Sequence, residues 1–262
     1  MHIDPARRCQ DVSLGLFSSQ SQSLHGSLIY RRITPLQVVT AQDNRPQLQQ
    51  LLDHWRQAQP LAGPDYWATR VWTLITWQAI YLSICAAHIS HHHIDVRSVR
   101  QCIQDGVVMG YGLGPSAFSS ANEHSPSSRS LLAAIAAPLR ELIDSLYADL
   151  SALVKINKAN SYGLMADCVM HALLALMKEN PQWQHPQLIS LGNAWCAQLG
   201  LMDRTGQAMS RLVSIELENK ADTLTLARKA CCKHYLLDPN DICGSCARLN
   251  WRQRLQILNT SL

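Results

Sequence analysis

The chain has 262 residues, of which 47% are hydrophobic and 16% charged, and its formal net charge is +4. A chain of this length and apolar content can bury a substantial core, which argues against disorder and indicates one large domain or a domain with a small appendage. This net charge is small, and the sequence has no broad basic stripe with interleaved aromatic residues of the kind that is typical of nucleic-acid-binding proteins. We therefore expect no nucleic-acid partner.

The N-terminal part of the chain shows no sustained apolar period. Residues 1–46 are expected to form a loop with a short element near 36–39. Two helices are predicted next, over 47–57 and 65–88, separated by a segment rich in proline and glycine. The first residues are basic but no apolar stretch follows them, so we expect no secretory signal and a cytoplasmic, reducing location.

One stretch resembles a membrane span. Residues 71–89 contain no Asp, Glu, Lys or Arg and are nearly long enough to cross a bilayer. Polar residues such as Gln78 and His88 dilute this stretch, and no second span accompanies it. We expect a buried core helix, and at most a peripheral association of the protein with the inner face of the cytoplasmic membrane.

The middle of the chain predicts a hairpin followed by helices. β-branched residues over 94–113 flank Asp105-Gly106, a preferred hairpin turn. From residue 130 to about 157, apolar residues recur at steps of three and four, which predicts a long helix with one buried face and a kink at Pro138. Two further helices are predicted over 163–178 and 185–199.

The C-terminal part predicts a second hairpin that leads into a cysteine-rich segment. Residues 211–217 and 223–226 have extended character, and the second strand runs directly toward Cys231. We therefore expect an α+β fold: a mainly helical body over 1–210 with a hairpin near 94–113, and a C-terminal segment over 211–262 packed with it as one unit.

Four cysteines lie within sixteen residues of that segment, in the arrangement Cys231-Cys232-x10-Cys243-x2-Cys246. Thiolate sulfur is a soft ligand that suits either structural zinc or an iron–sulfur cluster. The chain has nine cysteines in all, and an odd number in a reducing location fits a four-thiol site better than a disulfide framework. The arrangement predicts a tetrathiolate metal site on these four residues.

The adjacent pair favours a cluster over zinc. Four-cysteine zinc sites usually combine two short turns whose thiols converge on one ion, and here only Cys243 and Cys246 have that form. Neighbouring residues of an extended chain point to opposite faces, so Cys231 and Cys232 need a local bend to reach one small ion. A two-iron cluster is a larger target that offers a separate iron to each pair, and Gly244 lets the second pair approach closely.

The spacing of the four cysteines, with the approach to them through residues 226–237, resembles the C-terminal signature of the FhuF-like family of ferric hydroxamate-siderophore reductases. The resemblance implies a [2Fe-2S] cluster on Cys231, Cys232, Cys243 and Cys246, which passes one electron to Fe(III) held by a hydroxamate siderophore. An external electron donor, a ferredoxin or a flavin-dependent reductase, is implied as well, because the sequence has no flavin or nicotinamide motif. Sixteen residues follow Cys246, more than is typical of the family, and these are expected to cover the cluster or to contact a partner.

Basic and aromatic residues supply further candidates. Arg228, Lys229 and Lys233 lie beside the cysteines and are candidate contacts for the siderophore or the electron donor, the alternative being ordinary charges on a solvated face. Trp72 and Trp77 do not share a helical face, so one of them is a candidate wall of a cavity while the other is expected in the core.

Histidines and isolated cysteines are expected to have structural roles. A histidine run ends the predicted second helix and is expected to satisfy its exposed carbonyls, the alternative being a contact surface for an anionic siderophore or a redox partner: His88, His91, His92 and His93. The remaining cysteines lie far apart and are expected to be plain, buried or neutral thiols: Cys9, Cys85, Cys102, Cys168 and Cys196.

Two other functions fit the same cysteine segment. One is a non-enzymatic protein that holds structural zinc on the four cysteines and binds a partner through its helical body. The other is an iron–sulfur sensor that switches the activity of a partner. Iron and acid-labile sulfide in the purified protein distinguish the zinc protein from the cluster proteins, and turnover of a ferric chelate distinguishes a reductase from a sensor.

Overall fold

The structure is a computed structural model that describes residues 5–31, 38–39, 43–114, 118–119, 128–216, 222–238, 242 and 244–261. Its α-helices are α1 (Pro5–Leu24), α2 (Arg45–Ala58), α3 (Gly63–Cys85), α4 (Ser128–Leu153), α5 (Lys158–Glu179), α6 (His185–Gln198) and α7 (Trp251–Ser261). Its strands are β1 (Val38–Val39), β2 (His93–Ile94), β3 (Val99–Gln104), β4 (Val107–Leu113), β5 (Phe118–Ser119), β6 (Ser210–Ile215) and β7 (Thr223–Arg228). Helices predominate and the strands pair in small antiparallel sheets, which confirms the predicted α+β class.

The chain divides into two compact units, each made of two segments. The first unit comprises Met1–Leu51 and Leu74–Leu153, and the second comprises Leu52–Thr73 and Val154–Leu262. This division differs from the expected boundary near residue 210. The reason is that β6 and β7 pack on α5, and β6 also packs on α6, so the C-terminal hairpin belongs with these helices.

The first unit holds the predicted hairpin and the predicted long helix. β3 and β4 pair antiparallel and β1 adds to the other edge of β3. The connecting residues Asp105 and Gly106 have φ values of 49° and 74°, as the tight turns that match the twist of a hairpin require. In α4, the predicted apolar face is buried at Ile135, Leu139 and Leu146, which confirms the helical period.

The N-terminal helix α1 is a correction to the expected loop over residues 1–46. Its polar composition conceals a narrow buried face, on which Phe17, Ser21 and Leu24 are at most 5% exposed. The Ser21 hydroxyl is satisfied there by the Tyr111 hydroxyl at 2.9 Å. A serine in the buried row interrupts the hydrophobic pattern, so the helical period is not visible in the sequence alone. The expected element near 36–39 is present as β1 over its last two residues, and residues 36–37 lie outside the described residues.

The apolar stretch over 71–89 forms most of α3. The helical segment Gly63–Ser90 is long and apolar enough to cross a membrane, and 72% of its most apolar window is buried inside the protein. The last turn of this segment, Ala86–Ser90, is a π-helix that ends at His91 with φ 53°. Burial on this scale is also found in the central helices of compact proteins, so the location of the protein in the cell stays a prediction.

The second unit places the C-terminal hairpin on two helices. β6 and β7 pair in continuous antiparallel register from Ser210 opposite Arg228 to Ile215 opposite Thr223. Just beyond β7, Ala230 lies directly on α5, because a Cβ atom added at Gly163 would be 2.8 Å from the Cβ atom of Ala230. The absence of a side chain at Gly163 therefore lets the chain approach α5 immediately before the cysteine pair.

This contact predicts opposite effects for one substitution at two helical glycines. Gly163→Ala is expected to lower the free energy of unfolding by about 1–2 kcal/mol, because overpacking outweighs the gain in helix propensity. A methyl group at Gly15 of α1 would have no heavy atom within 4 Å, so Gly15→Ala is expected to raise stability by up to about 1 kcal/mol. Urea denaturation of both variants measures these changes. A stabilising effect of Gly163→Ala would show that Ala230 does not pack closely on α5.

Candidate functional site

The backbone at the start of the cysteine pair is held by one side chain of α5. The side-chain amide of Asn160 donates from Nδ2 to the carbonyl oxygen of Cys231 at 3.0 Å, and the backbone N–H of Cys231 donates to Asn160 Oδ1 at 2.9 Å. Asn160 thus satisfies both polar groups of the Cys231 backbone, as a neighbouring strand would. Since each backbone group needs a partner when it leaves water, this pair of hydrogen bonds fixes Cys231 against α5.

A backbone bend follows the cysteine pair. Lys233 has φ 61° and ψ 11°, in the left-handed region that residues with a Cβ atom rarely occupy, and a 3-10 turn over His234–Leu236 follows it. This bend lies at the residue after the pair, so it is not the bend that one small ion was expected to require between Cys231 and Cys232. The bend changes the direction of the chain immediately after Cys232.

The structure describes three of the four predicted ligands. Cys231 and Cys232 are half-buried, Cys246 is 9% exposed, and all three are free thiols. Cys243 lies outside the described residues. Among the residues that the structure describes, no three His, Cys, Asp or Glu side chains are grouped closely enough to hold a metal ion, so Cys231, Cys232 and Cys246 are not brought together as a set. The donors fit a metal cluster in kind, because unpaired thiols are the ligands that it takes.

The second cysteine turn packs against the C-terminal helix. A Cβ atom at Gly244 would lie 3.2 Å from Cγ2 of Ile257 and 3.5 Å from Cδ2 of Leu258, so α7 covers this glycine closely. Part of the segment after Cys246, which the sequence did not predict as a helix, is therefore a cover for the cysteine turn. Cys246 itself is nearly buried, whereas the pair Cys231-Cys232 stays half-exposed.

A buried ion pair joins the end of β7 to α5. Arg228 Nε lies 2.7 Å from Asp167 Oδ2, and the two side chains are only 10% and 4% exposed. Burial raises the pKa of the Asp167 carboxyl, and the positive charge of Arg228 opposes that rise. Arg254 of α7 is also buried and donates from Nη2 to the carbonyl oxygen of Arg228 at 3.1 Å. Arg228, a predicted substrate contact, thus lies in an internal network of α5, β7 and α7.

The other two predicted contact residues form more exposed ion pairs. Lys229 Nζ lies 2.8 Å from Asp203 Oδ2, and its side chain is 49% exposed. This contact holds the pKa of Asp203 well below its usual range. Lys233 Nζ lies 3.8 Å from Asp65 Oδ2 with the lysine 28% exposed. The basic residues around the cysteines therefore face different surroundings, and Lys233 is the predicted contact that also lines a cavity.

This cavity has a volume of about 670 Å3 and lies beside the cysteine pair in the second unit. Its polar wall includes Asp65, Thr69, Lys155, Lys158, Asn160 and Lys233. Asn160 is the residue that holds Cys231, and Lys233 is the residue that follows Cys232. The cavity and the cysteine pair therefore share parts of the same wall.

Sequence reasoning missed Lys155, Lys158 and Asn160 because it extended the long helix to residue 157. The structure ends α4 at Leu153 and starts α5 at Lys158, with the side chain of Asn157 accepting from the backbone N–H of Asn160 at 2.9 Å. Asparagine is a preferred N-cap residue, so Asn157 was the signal for a new helix in the sequence. The two lysines that flank this cap were the signal for a basic patch.

The isolated cysteines differ from the cysteine pair in their surroundings. Burial raises the pKa of Cys85 and of Cys196 to about 12, so both remain protonated thiols near neutral pH. Burial also raises the pKa of Cys102. Thiolates are the metal-binding form, so these three residues are poor ligand candidates. The side chain of Cys9 lies outside the described residues.

The histidine run does not form one face of a helix. The helix ends at His91, and His92 instead contacts the Ser90 carbonyl oxygen through Nδ1 at 2.6 Å. Burial lowers the pKa of His88 to about 4, so this imidazole is neutral near pH 7. His92 thus satisfies a backbone carbonyl at the helix end, as expected for the run.

Both tryptophan candidates belong to packed aromatic groups. Trp72 is fully buried, and its indole Nε1 donates to the carbonyl oxygen of Ser161 at 2.7 Å. It stacks on Tyr162, with ring centroids 6.2 Å apart. Trp77 is half-buried in the first unit and contacts the His25 and Tyr81 rings. Neither tryptophan lines the cavity beside the cysteine pair.

Comparisons with known proteins place no further constraint on the site. No model of a known protein family matches the chain, and no solved structure matches it. The likeness to the siderophore reductases therefore rests on the cysteine spacing and the residues next to it.

The hydrogen bonds of Asn160 predict that this residue fixes the cysteine pair. Asn160→Ala is expected to raise the hydrogen-exchange rate of the Cys231 amide by about fivefold, because a net hydrogen bond contributes roughly 1 kcal/mol. Asn160→Asp keeps an acceptor for that amide and is expected to retain most of the protection. Mass-spectrometric hydrogen exchange measures both, with Asn193→Ala on the exposed face of α6 as the matched control. Equal protection of Cys231 in wild type and Asn160→Ala would contradict the assigned role.

Proposed function

We propose that the protein is a ferric-siderophore reductase that binds a [2Fe-2S] cluster on Cys231, Cys232, Cys243 and Cys246. The observation that supports this proposal is the arrangement Cys-Cys-x10-Cys-x2-Cys, carried by thiols that form no disulfide among the described residues. An adjacent cysteine pair suits a two-iron centre better than a single zinc ion, since each pair then serves its own iron. The proposed location is the cytoplasm, where these thiols stay reduced.

The substrate is Fe(III) held by a hydroxamate-type siderophore. Hard oxygen donors bind Fe(III) tightly because of its small size and high charge, and they bind Fe(II) more weakly. When bound, the cluster supplies one electron, which converts Fe(III) to Fe(II) and leaves the siderophore chemically unchanged. The electron is replaced by an external donor, a ferredoxin or a flavin-dependent reductase.

The chain's own residues hold and surround the cysteine pair. Asn160 fixes the backbone of Cys231, and the left-handed bend at Lys233 starts the connection toward the second cysteine turn. The ion pair of Arg228 with Asp167 fixes the end of β7 three residues before the cysteine pair. A rigid ligand frame favours electron transfer because little structure has to rearrange when the charge of the site changes. The half-exposed position of Cys231 and Cys232 gives a chelate or a donor protein access to this side.

The ligand assignment predicts which cysteines the iron content depends on. Cys232→Ser and Cys246→Ser are expected to remove most of the iron and acid-labile sulfide, because a thiolate ligand is lost in each. Cys85→Ala is the matched control, since this thiol is buried and remains protonated. Iron and sulfide analysis of freshly purified protein, with the visible absorption spectrum, measures the result. Zinc without sulfide in the wild-type protein would instead support the structural zinc protein.

The reductase proposal predicts a defined yield of ferrous iron. Protein that has been reduced chemically and then mixed without oxygen with a ferric hydroxamate siderophore is expected to release about one Fe(II) per cluster, because such clusters cycle between two states. A ferrous chelator such as ferrozine measures the product while the cluster spectrum follows reoxidation. A cluster-loaded protein that reduces no ferric hydroxamate would be assigned to the sensor class instead.

A further inference from the structure

The charge of the cavity beside the cysteine pair restricts the ligand that it takes. Three lysines and one aspartate line the cavity, namely Lys155, Lys158, Lys233 and Asp65, which gives its wall a net positive charge of two. We propose that the cavity binds the carboxylate of a negatively charged ferric chelate, so that the substrate is a carboxylate-bearing hydroxamate siderophore and not a neutral trihydroxamate. This inference rests on the proposed function, because it assigns a substrate class to the same site.

The shape of the site favours a small molecule over a protein partner. A volume of about 670 Å3 lies in the range of small-molecule sites, which extends over roughly 300–1,000 Å3. A protein partner more often binds a broad surface of low curvature. The cavity is also polar, as a site for a charged chelate requires.

The lysines stand at different positions around the cavity. Lys233 is already engaged by Asp65 at 3.8 Å, so the negative charge of the wall acts mainly on that lysine. The Lys158 ammonium lies 5.2 Å from the centre of the Tyr162 ring, and Tyr162 stacks in turn on the buried Trp72. The face of the Tyr162 ring attracts the Lys158 ammonium and so positions it. An ammonium group carries three N–H donors, which can bind anionic oxygens. Lys155 is exposed three residues earlier, before the start of α5.

A neutral chelate gains little binding free energy from a wall lined by lysines. Three hydroxamates neutralise Fe(III) in a trihydroxamate complex, so its core offers no net charge to the lysines. A carboxylate that remains outside the metal shell forms charge-assisted hydrogen bonds with ammonium groups, and these are stronger than neutral ones. The positive end of α5 adds to the same potential. The cavity therefore distinguishes chelates by charge, and it lies where Asn160 and Lys233 contact or adjoin the cysteine pair.

The test uses redox-inert chelates so that binding is measured apart from reduction. Gallium(III) replaces Fe(III) in two complexes of one linear trihydroxamate, whose pendant amine is either acetylated and neutral or succinylated and negatively charged. Isothermal titration calorimetry with the full-length protein as purified is expected to show about tenfold tighter binding of the succinylated complex. This preference is expected to shrink at high salt, because exposed charges are screened.

Matched variants assign the preference to the cavity. In the double variant Lys155→Gln/Lys158→Gln the two complexes are expected to bind equally, whereas Lys178→Gln at the opposite end of α5 is expected to keep the preference. Asp65→Asn removes the negative charge of the wall and is expected to increase the preference. Equal binding of both complexes to wild type, or a preference that persists in the double variant, would overturn the inference.

The same complexes separate this inference from the reductase proposal. If the gallium complexes bind with the expected charge preference but the reduced protein transfers no electron to either ferric counterpart, the reductase proposal fails and the assignment of an anion-binding cavity stands. If both ferric complexes are reduced but bind without a charge preference, the reductase proposal stands and the cavity assignment fails.

Discussion

The buried ion pair between Arg228 and Asp167 is the interaction on which the cysteine segment depends. Two charges lose most of their hydration at this position, and their attraction offsets that cost only while both remain in place. The pair therefore constrains geometry more than it adds net stability. It fixes the last residue of β7 against α5, and the Arg228 carbonyl accepts a hydrogen bond from Arg254 of α7 at the same point. One residue thus joins three elements of the second unit.

From this point the chain has little freedom before it reaches the thiols. Ala230 packs on Gly163, the Cys231 backbone is bonded twice to Asn160, and Lys233 adopts a left-handed conformation. These three constraints differ in kind: the first is the packing of a methyl group, the second is a pair of hydrogen bonds to a peptide group, and the third is a backbone conformation. Their common effect is to define where the cysteine pair emerges, beside a positively charged cavity. The basic residues of the segment are consequently divided between internal support at Arg228 and contact with the cavity at Lys233.

The sequence predicted elements with strong local signals and missed those that depend on distant contacts. The Asp105-Gly106 turn and the apolar face of α4 follow from local chemistry, and both are present. α1 was missed because a buried serine interrupts its apolar row, and that serine is acceptable only because Tyr111 supplies a partner ninety residues away. The four cysteines were recognisable as a set by spacing alone. The role of Asn160 was not, since an asparagine near a helix start has many other uses and its partner is 71 residues distant.

The division of the chain affects the order in which the protein can fold during synthesis. The segment Leu52–Thr73 leaves the ribosome early, yet the other segment of its unit begins at Val154. The hydrogen bond from the Trp72 indole to Ser161 therefore cannot form until Ser161 has been synthesised, 89 residues later. The intervening residues form most of the other unit. Contacts of such long sequence separation form slowly, and an apolar helix is exposed in the meantime. Cys231 and Cys232 emerge later still, so any metal cofactor they carry is acquired only after α5, the helix that supports them, has been synthesised.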